Sequence, residues 1–380
     1  MTARAPSPGL AVERVQGPDE ILAFMHRVYA DDPAWVPPVD AWVRRRLDPA
    51  RNSFLRTNEL ELYVARRGGE VVGTISALRD RLHESHRGEP VAFFGWFECV
   101  DDPEVARALL DRAAERAHAW GATILRGPRN LTRIEEMGLT VEGHEHAPPM
   151  FAGHHPAWYQ ALIEGAGFTK HHDVLAYHAD LYDETGTPRP LPAHLEAAAS
   201  AVAIPGLVLQ NPRLRSLGHD IGLAHEVFVD AFRDVPENTP MPRAQFVGLG
   251  GGLVLLTDRR MLQIATVDGK PAGFALCFPE MNEAVRAARG RAWPLGVARI
   301  LAATRRIRTA SFKLIGVMPA YRHAGLHALL IREAIAGVRA AGYQRVEGSL
   351  IDERNKPMRA VVEGAGMSVY KRYRVYDRVL

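Results

Sequence analysis

The chain of 380 residues carries 47% apolar side chains, a formal net charge of +3 and two cysteines. Its length suits two domains with ample apolar mass for burial, and a charge so close to neutral, with no zinc spacing and no nucleic-acid module, gives no reason to expect nucleic acid or a bound metal. No window of about 18 uninterrupted apolar residues occurs and no apolar leader opens the chain, so the expectation is a protein of the cytoplasm, at most peripheral at the inner membrane, with Cys99 and Cys277 reduced in apolar strands.

Taken in chain order, residues 1–10 are rich in Pro and Ala and read as a disordered N-terminus. A strand is predicted over 12–15, a helix over 19–29 and, past Pro33, Pro37 and Pro38, a short basic helix over 39–47. Strands over 61–66 and 71–78 flank Gly68-Gly69, a hairpin signal. The strand over 91–100 carries Phe93, Phe94, Trp96 and Phe97, and Asp101-Asp102 caps a helix over 103–120. A strand over 122–125, a helix over 157–166 and a β segment reaching about residue 181 complete this half. Residues 126–150 between them lack periodicity, and structureless stretches of that length are often functional. His144, Glu145 and His146 alternate there without an obvious third ligand, which argues against a metal.

The second half repeats the order. A strand over 207–209 leads to a helix over 222–232, a hairpin of 261–267 and 273–278 around Asp268-Gly269, and a strand over 311–317. A helix follows with Leu326, Leu329, Leu330, Ala334 and Val338 on one side, then a strand over 345–350, a helix from Asn355 and a terminal β segment. Two copies of one α/β fold are therefore expected, an N-terminal domain at 11–182 and a C-terminal domain at 193–380, joined by a linker at 183–192 rich in Pro, Gly and Thr. An insertion over 284–308 sets Arg286, Arg289, Arg291, Arg299, Arg305, Arg306 and Arg308 among Trp293, Leu295, Val297, Ile300 and Leu301. It reads either as a solvated lid or as a basic amphipathic contact with an anionic membrane, at about 1 kcal/mol per basic residue near the surface.

Everything converges on Gly316 to Leu330, a strand, a turn and a helix. Arg322 to His327 would present backbone N–H groups that the first helical turn leaves unsatisfied, and Gly325 permits a close approach to the main chain. A diphosphate there gains those hydrogen bonds and the helix dipole, a dipole contribution of roughly 0.3–2 kcal/mol. An ordinary turn with a close-packing glycine fits the spacing equally well.

Val317-x-Pro319-x-x-Arg322-x-x-Gly325, followed by a Leu-rich helix, resembles the acyl-coenzyme A pyrophosphate loop of the GNAT N-acyltransferase superfamily. Asn355 and the helix ending at Gly364-Ala365-Gly366-Met367 resemble the same family's second coenzyme segment, and Phe94 to Phe97 with Pro148-Pro149-Met150 is similar to bacterial two-domain GNAT-like proteins. The resemblance implies two tandem GNAT-like domains, each a mixed, mostly antiparallel twisted sheet flanked by helices. It also implies a coenzyme site made of Val317, Arg322, His323, Ala324, Gly325, Leu326, His327, Ala328 and Asn355, with acetyl-coenzyme A or a longer acyl-coenzyme A as cosubstrate and no metal. His327 departs from the family, which usually has Gly or Ala there. The N-terminal half has Glu98-Cys99-Val100-Asp101-Asp102-Pro103-Glu104 in the corresponding place, and its carboxylates would repel a diphosphate, so the coenzyme is expected in the C-terminal half alone.

The reaction implied is direct transfer of an acyl group from thioester to amine, with a backbone N–H near Val317 polarising the carbonyl. The family's glutamate base is absent from 311–319, and its tyrosine acid is replaced by Val362. Glu280, Asn282, Tyr370 and Tyr373 are the substitutes considered for catalysis. Three readings stay open: a small amine acetylated from acetyl-coenzyme A, the family default; a lipid amine or sphingoid base given a long acyl chain at a membrane surface; and a binding or sensor protein without catalysis. A homodimer is compatible with each of them.

Overall fold

A computed structural model describes residues 9–288 and 295–380. The expected disorder at residues 1–8, and Arg289, Arg291 and Trp293 of the insertion, lie outside the described residues. In chain order the first half forms β1 (Leu10–Val15), α1 (Asp19–Val28), α2 (Asp40–Arg46), β2 (Glu59–Arg67), β3 (Glu70–Arg79), α3 (Arg81–Arg87), β4 (Val91–Cys99), α4 (Pro103–Ala119), β5 (Ile124–Gly127), β6 (Leu139–Glu142), α5 (Trp158–Gly165) and β7 (Thr169–Asp180). The second forms α6 (Ala193–Ser200), β8 (Leu207–Gln210), α7 (Leu217–Ala231), α8 (Arg243–Leu256), β9 (Leu262–Val267), β10 (Lys270–Pro279), α9 (Met281–Ala288), α10 (Leu295–Thr304), β11 (Thr309–Val317), α11 (Leu326–Ala340), β12 (Arg345–Asp352), α12 (Lys356–Gly364) and β13 (Ser368–Val379).

These elements assemble into two compact units that exchange pieces of chain. Unit 1 takes the chain up to Val174, then Val285–Leu301 and Lys371–Leu380, and unit 2 takes Leu175–Ala284 and Ala302–Tyr370. The units therefore differ from the halves 11–182 and 193–380: the end of β7 belongs to unit 2, and the basic insertion and the end of β13 belong to unit 1. A strand's membership is decided by the sheet that takes its hydrogen bonds, and sequence order does not fix that. Leu10, expected in the disordered terminus, is already buried in β1.

In unit 1 the strands run β1-β2-β3-β4-β5-β13, with Tyr376 to Val379 antiparallel to β5 and β6 also paired to β13. All nine residues of β4 are buried because both faces of the sheet are covered. Phe94, Phe97 and Cys99 pack with Leu109, Ala113 and Tyr159 in one cluster, while Phe93 and Trp96 pack with Ile21, Leu22 and Val43 in another. Burying a side chain of that size stabilises by about 1.5–3 kcal/mol. In unit 2 the order is β12-β11-β10-β9-β8, antiparallel except for the β11–β12 pair, which α11 connects as a parallel crossover. Leu326, Leu330, Ala334 and Val338 of α11 fill the core against Ala275 and Cys277 of β10. Both cysteines are free and buried.

Residues 126–150, expected to be irregular, contain β6 and a bridge between Arg129 and Met137. In the insertion, Ala284, Val285, Ile300 and Ile307 are buried, so these apolar residues build the protein interior. Leu301 is 51% exposed, Arg299, Arg305 and Arg306 are exposed within five residues of it, and Arg286 is exposed on the preceding helix.

Candidate active site

β11 is hydrogen-bonded to β10 from Ala310 to Val317, but its pairing with β12 stops at Phe312 opposite Gly348. Both strands continue, to Val317 and to Asp352, so the main chain of Lys313 to Val317 keeps an open edge on that side among the described residues. A register shift at Leu276/Cys277 opposes two residues of β10 to the three from Phe312 to Leu314, which makes Lys313 the bulged residue at the fork. An extended ligand bearing amide groups could add to such an edge as a strand does.

The open edge leads into the turn before α11. Pro319–Tyr321 form a short 3-10 turn, Arg322 to Ala324 are exposed, and Gly325 caps α11 with φ +76°. The N–H groups of Gly325, Leu326 and His327 have no acceptor among the described residues, leaving a row of donors at the positive end of a 15-residue helix. Arg322 donates to the carbonyl of Ala231 at 3.2 Å. Burial pushes the His327 imidazole down, so it adds bulk without charge at neutral pH. Val317 and Ala328 are buried, and Asn355 caps α12 by accepting from the Met358 N–H at 3.3 Å. Gly325 has a packing duty as well, since a Cβ there would lie 2.8 Å from the Ala198 carbonyl of α6.

At the fork lies a row of buried polar groups. Ser311 Oγ is 2.9 Å from Glu280 and 2.6 Å from Glu347, and with one hydrogen it serves one carboxylate at a time. Lys313 donates to Glu347 at 3.2 Å and to Ser349 at 2.8 Å. The second oxygen of Glu347 is buried and meets no donor among the described residues, an arrangement that costs about 1–3 kcal/mol in a folded protein. Of the four residues expected in catalysis, Glu280 and Asn282 come together, the Asn282 N–H donating to Glu280 at 3.1 Å. Tyr370 stacks on His178 in unit 2 with ring centres 4.9 Å apart, and Tyr373 is fully buried in unit 1, opposite Thr140 of β6. Tyr373 thus belongs to a different unit from Glu280. The sequence reading missed Ser311, Lys313, Glu347 and Ser349. Their signal is visible in retrospect: each pair sits two residues apart, the spacing of one strand face, in strands that are otherwise mostly apolar.

Unit 1 has the same fork, closed by its own chain. β4 and β5 pair only from Val91 to Phe93, after which the Arg129 N–H donates to the Phe94 carbonyl at 2.7 Å and the Trp96 N–H to Asn130 Oδ1 at 2.6 Å. A Cβ on Gly95 would stand 2.3 Å from the Arg129 carbonyl, so no room is left between the strands. At the start of α4, Asp102 accepts the Glu104 N–H at 2.9 Å and pairs with Arg67, placing a carboxylate where unit 2 leaves bare donors. Glu98 on β4 takes hydrogen bonds from Tyr29 at 2.6 Å and Tyr159 at 2.9 Å, and burial pushes its carboxyl up to about 8. Lys371, also buried, donates to the carbonyls of Gly143 and His146 and is pushed down to about 8 by burial. His144 contacts the His155 carbonyl at 3.1 Å, and no group of three His, Cys, Asp or Glu among the described residues is arranged to hold a metal.

No family model matches the chain. It is 31% identical to the bacterial ceramide synthase of Caulobacter vibrioides, over 98% of both proteins. It is 30% identical to protein YghO of Escherichia coli K12, over 94% of this chain and 91% of that protein. Among solved structures, a tandem GNAT protein from the clavulanic acid biosynthesis pathway superposes with a TM-score of 0.55 at 17% identity, over 97% of this chain and 98% of that one.

Proposed function

The chain belongs to the GNAT acyltransferase superfamily, in one family with the Caulobacter and Escherichia relatives, and from that membership we propose that unit 2 transfers an acyl group from acyl-coenzyme A to an amine. The observation that carries this reading is the open edge of β11 running into the bare N-terminus of α11, set against a unit 1 in which both places are occupied by the chain itself. The diphosphate would lie on the N–H groups of Gly325 to His327, and the amide-bearing arm would run along Lys313 to Val317. Unit 1 binds no coenzyme on this reading.

At the fork, Glu347 takes a proton from the ammonium through its buried, unpartnered oxygen, and Lys313 holds the other oxygen and fixes the carboxylate. The freed amine attacks the thioester carbonyl, the C–N bond forms as the C–S bond breaks, and the departing thiolate takes up the second proton that the acylated nitrogen gives up, so the products are the amide and the thiol of coenzyme A. Glu280 shares Ser311 with Glu347 and gives the proton an alternative seat.

For the acceptor, the relationship to a bacterial ceramide synthase favours a long-chain amine of the sphingoid type and a fatty acyl donor over the default of acetyl transfer to a small amine. The test is coenzyme A release and product mass with sphinganine and either palmitoyl- or acetyl-coenzyme A. The expected product is N-palmitoyl sphinganine, lost by at least about a hundredfold in Glu347→Gln. Acetyl transfer to small amines without long-chain transfer would reverse the choice of acceptor. No thiol release with any amine, despite stabilisation by the coenzyme, would leave a binding protein.

A further inference from the structure

α8 has a composition at odds with its position. From Ala244 to Thr257 the sequence contains no charged residue, and the helix reads Ala-Gln-Phe-Val-Gly-Leu-Gly-Gly-Gly-Leu-Val-Leu-Leu after Arg243. A helix apolar on every side is normally buried. Yet none of its described side chains is buried, and Val247, Leu255 and Leu256 are 38%, 67% and 48% exposed. Phe246 fixes the helix to α7 by packing on Phe228 with ring centres 5.2 Å apart. The opposite side has no cover among the described residues. Gly248 and Gly252, four residues apart on one face, each have open space where a Cβ would stand, so packing within the chain does not require them. Each costs about 1 kcal/mol of helix stability relative to alanine.

The charges at the ends of α8 say what covers it. Arg243 precedes the apolar run and Arg259 and Arg260 follow it, all exposed, with Arg260 paired to Asp258 at 2.6 Å, so each end of the helix keeps a net positive charge, and no Asp or Glu occurs between Glu237 and Asp258. Two copies of this chain meeting through α8 about a twofold axis would bring like charges together. An anionic bilayer takes both the apolar residues and the arginines. At 14 residues α8 spans about 21 Å, short of the roughly 30 Å hydrocarbon core, so it can lie in the interface but cannot cross.

We infer that α8, with Arg243 and Arg259, seats unit 2 on an anionic lipid surface. The seat is a property of the surface and stands whether or not the site at the fork transfers acyl groups. If it does, a lipid amine held in that surface is presented to the same unit.

The test is flotation of the full-length protein with vesicles of phosphatidylcholine alone or mixed with phosphatidylglycerol. Wild type is expected to float with the anionic vesicles, less so as salt is raised, and Leu255→Glu/Leu256→Glu to float at least about tenfold less. Arg259→Glu should weaken anionic binding, whereas Val208→Glu, at another exposed apolar position of unit 2, should not. Flotation that survives the double substitution would overturn the inference, as would failure of wild type to float. A wild-type dimer that Leu255→Glu/Leu256→Glu converts to monomer, without vesicle binding, would assign α8 to a second copy of the chain. Stabilisation of the same variants by palmitoyl-coenzyme A reports folding and the coenzyme site separately.

Discussion

Glu98 and Lys371 titrate with opposite effects on stability. The Glu98 carboxyl moves from the ordinary 4.5 to about 8 in the native state, which therefore holds a proton that the unfolded chain has released between those values. Its contribution is complete below about pH 4.5 and is lost as the pH rises through about 8. Lys371 moves from 10.5 down to about 8, so its contribution is present above about 10.5 and is lost as the pH falls through about 8. Urea midpoints of wild type and Glu98→Gln at about pH 5.5 and about pH 7.5 report the first group by difference. Burial holds His154, His155 and His327 below the ordinary 6.5, so they gain stability over this interval in both proteins, and the variant should gain more than wild type because it no longer loses the Glu98 contribution. An unchanged difference in the variant would assign the titration elsewhere. Neither group could be valued from the sequence. Glu98 was noticed there as an acidic residue hostile to a diphosphate, but its burial depends on Tyr29 and Tyr159, which lie 69 and 61 residues away.

The two helix N-termini, α4 and α11, show how one element is used in two ways. Asp102 gives α4 a side-chain cap, and Gly325 gives α11 none, so only the second keeps its donors. Asp102→Ala should cost about 1 kcal/mol in a thermal melt and leave stabilisation by coenzyme A intact. Gly325→Ala combines a left-handed backbone with a Cβ pressed on the Ala198 carbonyl and should cost about 1–3 kcal/mol, while Gly325→Glu should also abolish the shift that coenzyme A gives wild type. Equal coenzyme shifts in Gly325→Glu and wild type would remove the diphosphate from this turn. Most strands and helices were legible because alternation and amphipathic spacing are local. α8 escaped notice because it has no polar side to set a period, and the forks of β11 and β4 escaped because the end of a pairing leaves no mark on either strand.

At the scale of the molecule, the repeat of one fold was readable from the order of elements, but the exchange of segments was not. Nothing local in Lys371 to Val379 distinguishes a strand of unit 2 from a strand of unit 1. The long-range ties are plain in the structure: Tyr376 to Val379 pair with β5, Arg374 holds Asp173 at 2.9 Å, and Lys371 reaches the 143–146 loop. Deleting residues 371–380 should therefore damage unit 1, whose strand it removes, more than unit 2. Hydrogen exchange would report this as lost protection in β4 and β5 with β9 and β10 retained, and uniform loss would mean that the units unfold as one.

A ribosome makes this protein from the N-terminus, so the first unit to emerge is the last that can be finished. Its sheet lacks the strand beside β5 until Tyr376 to Val379 are made, after every segment of unit 2. A product that contains β5 but stops short of Tyr376 leaves β5 with an open edge, a form exposed to proteases and chaperones. The closing strand thus acts as a seal: unit 1 folds throughout only in a chain that has been read past unit 2.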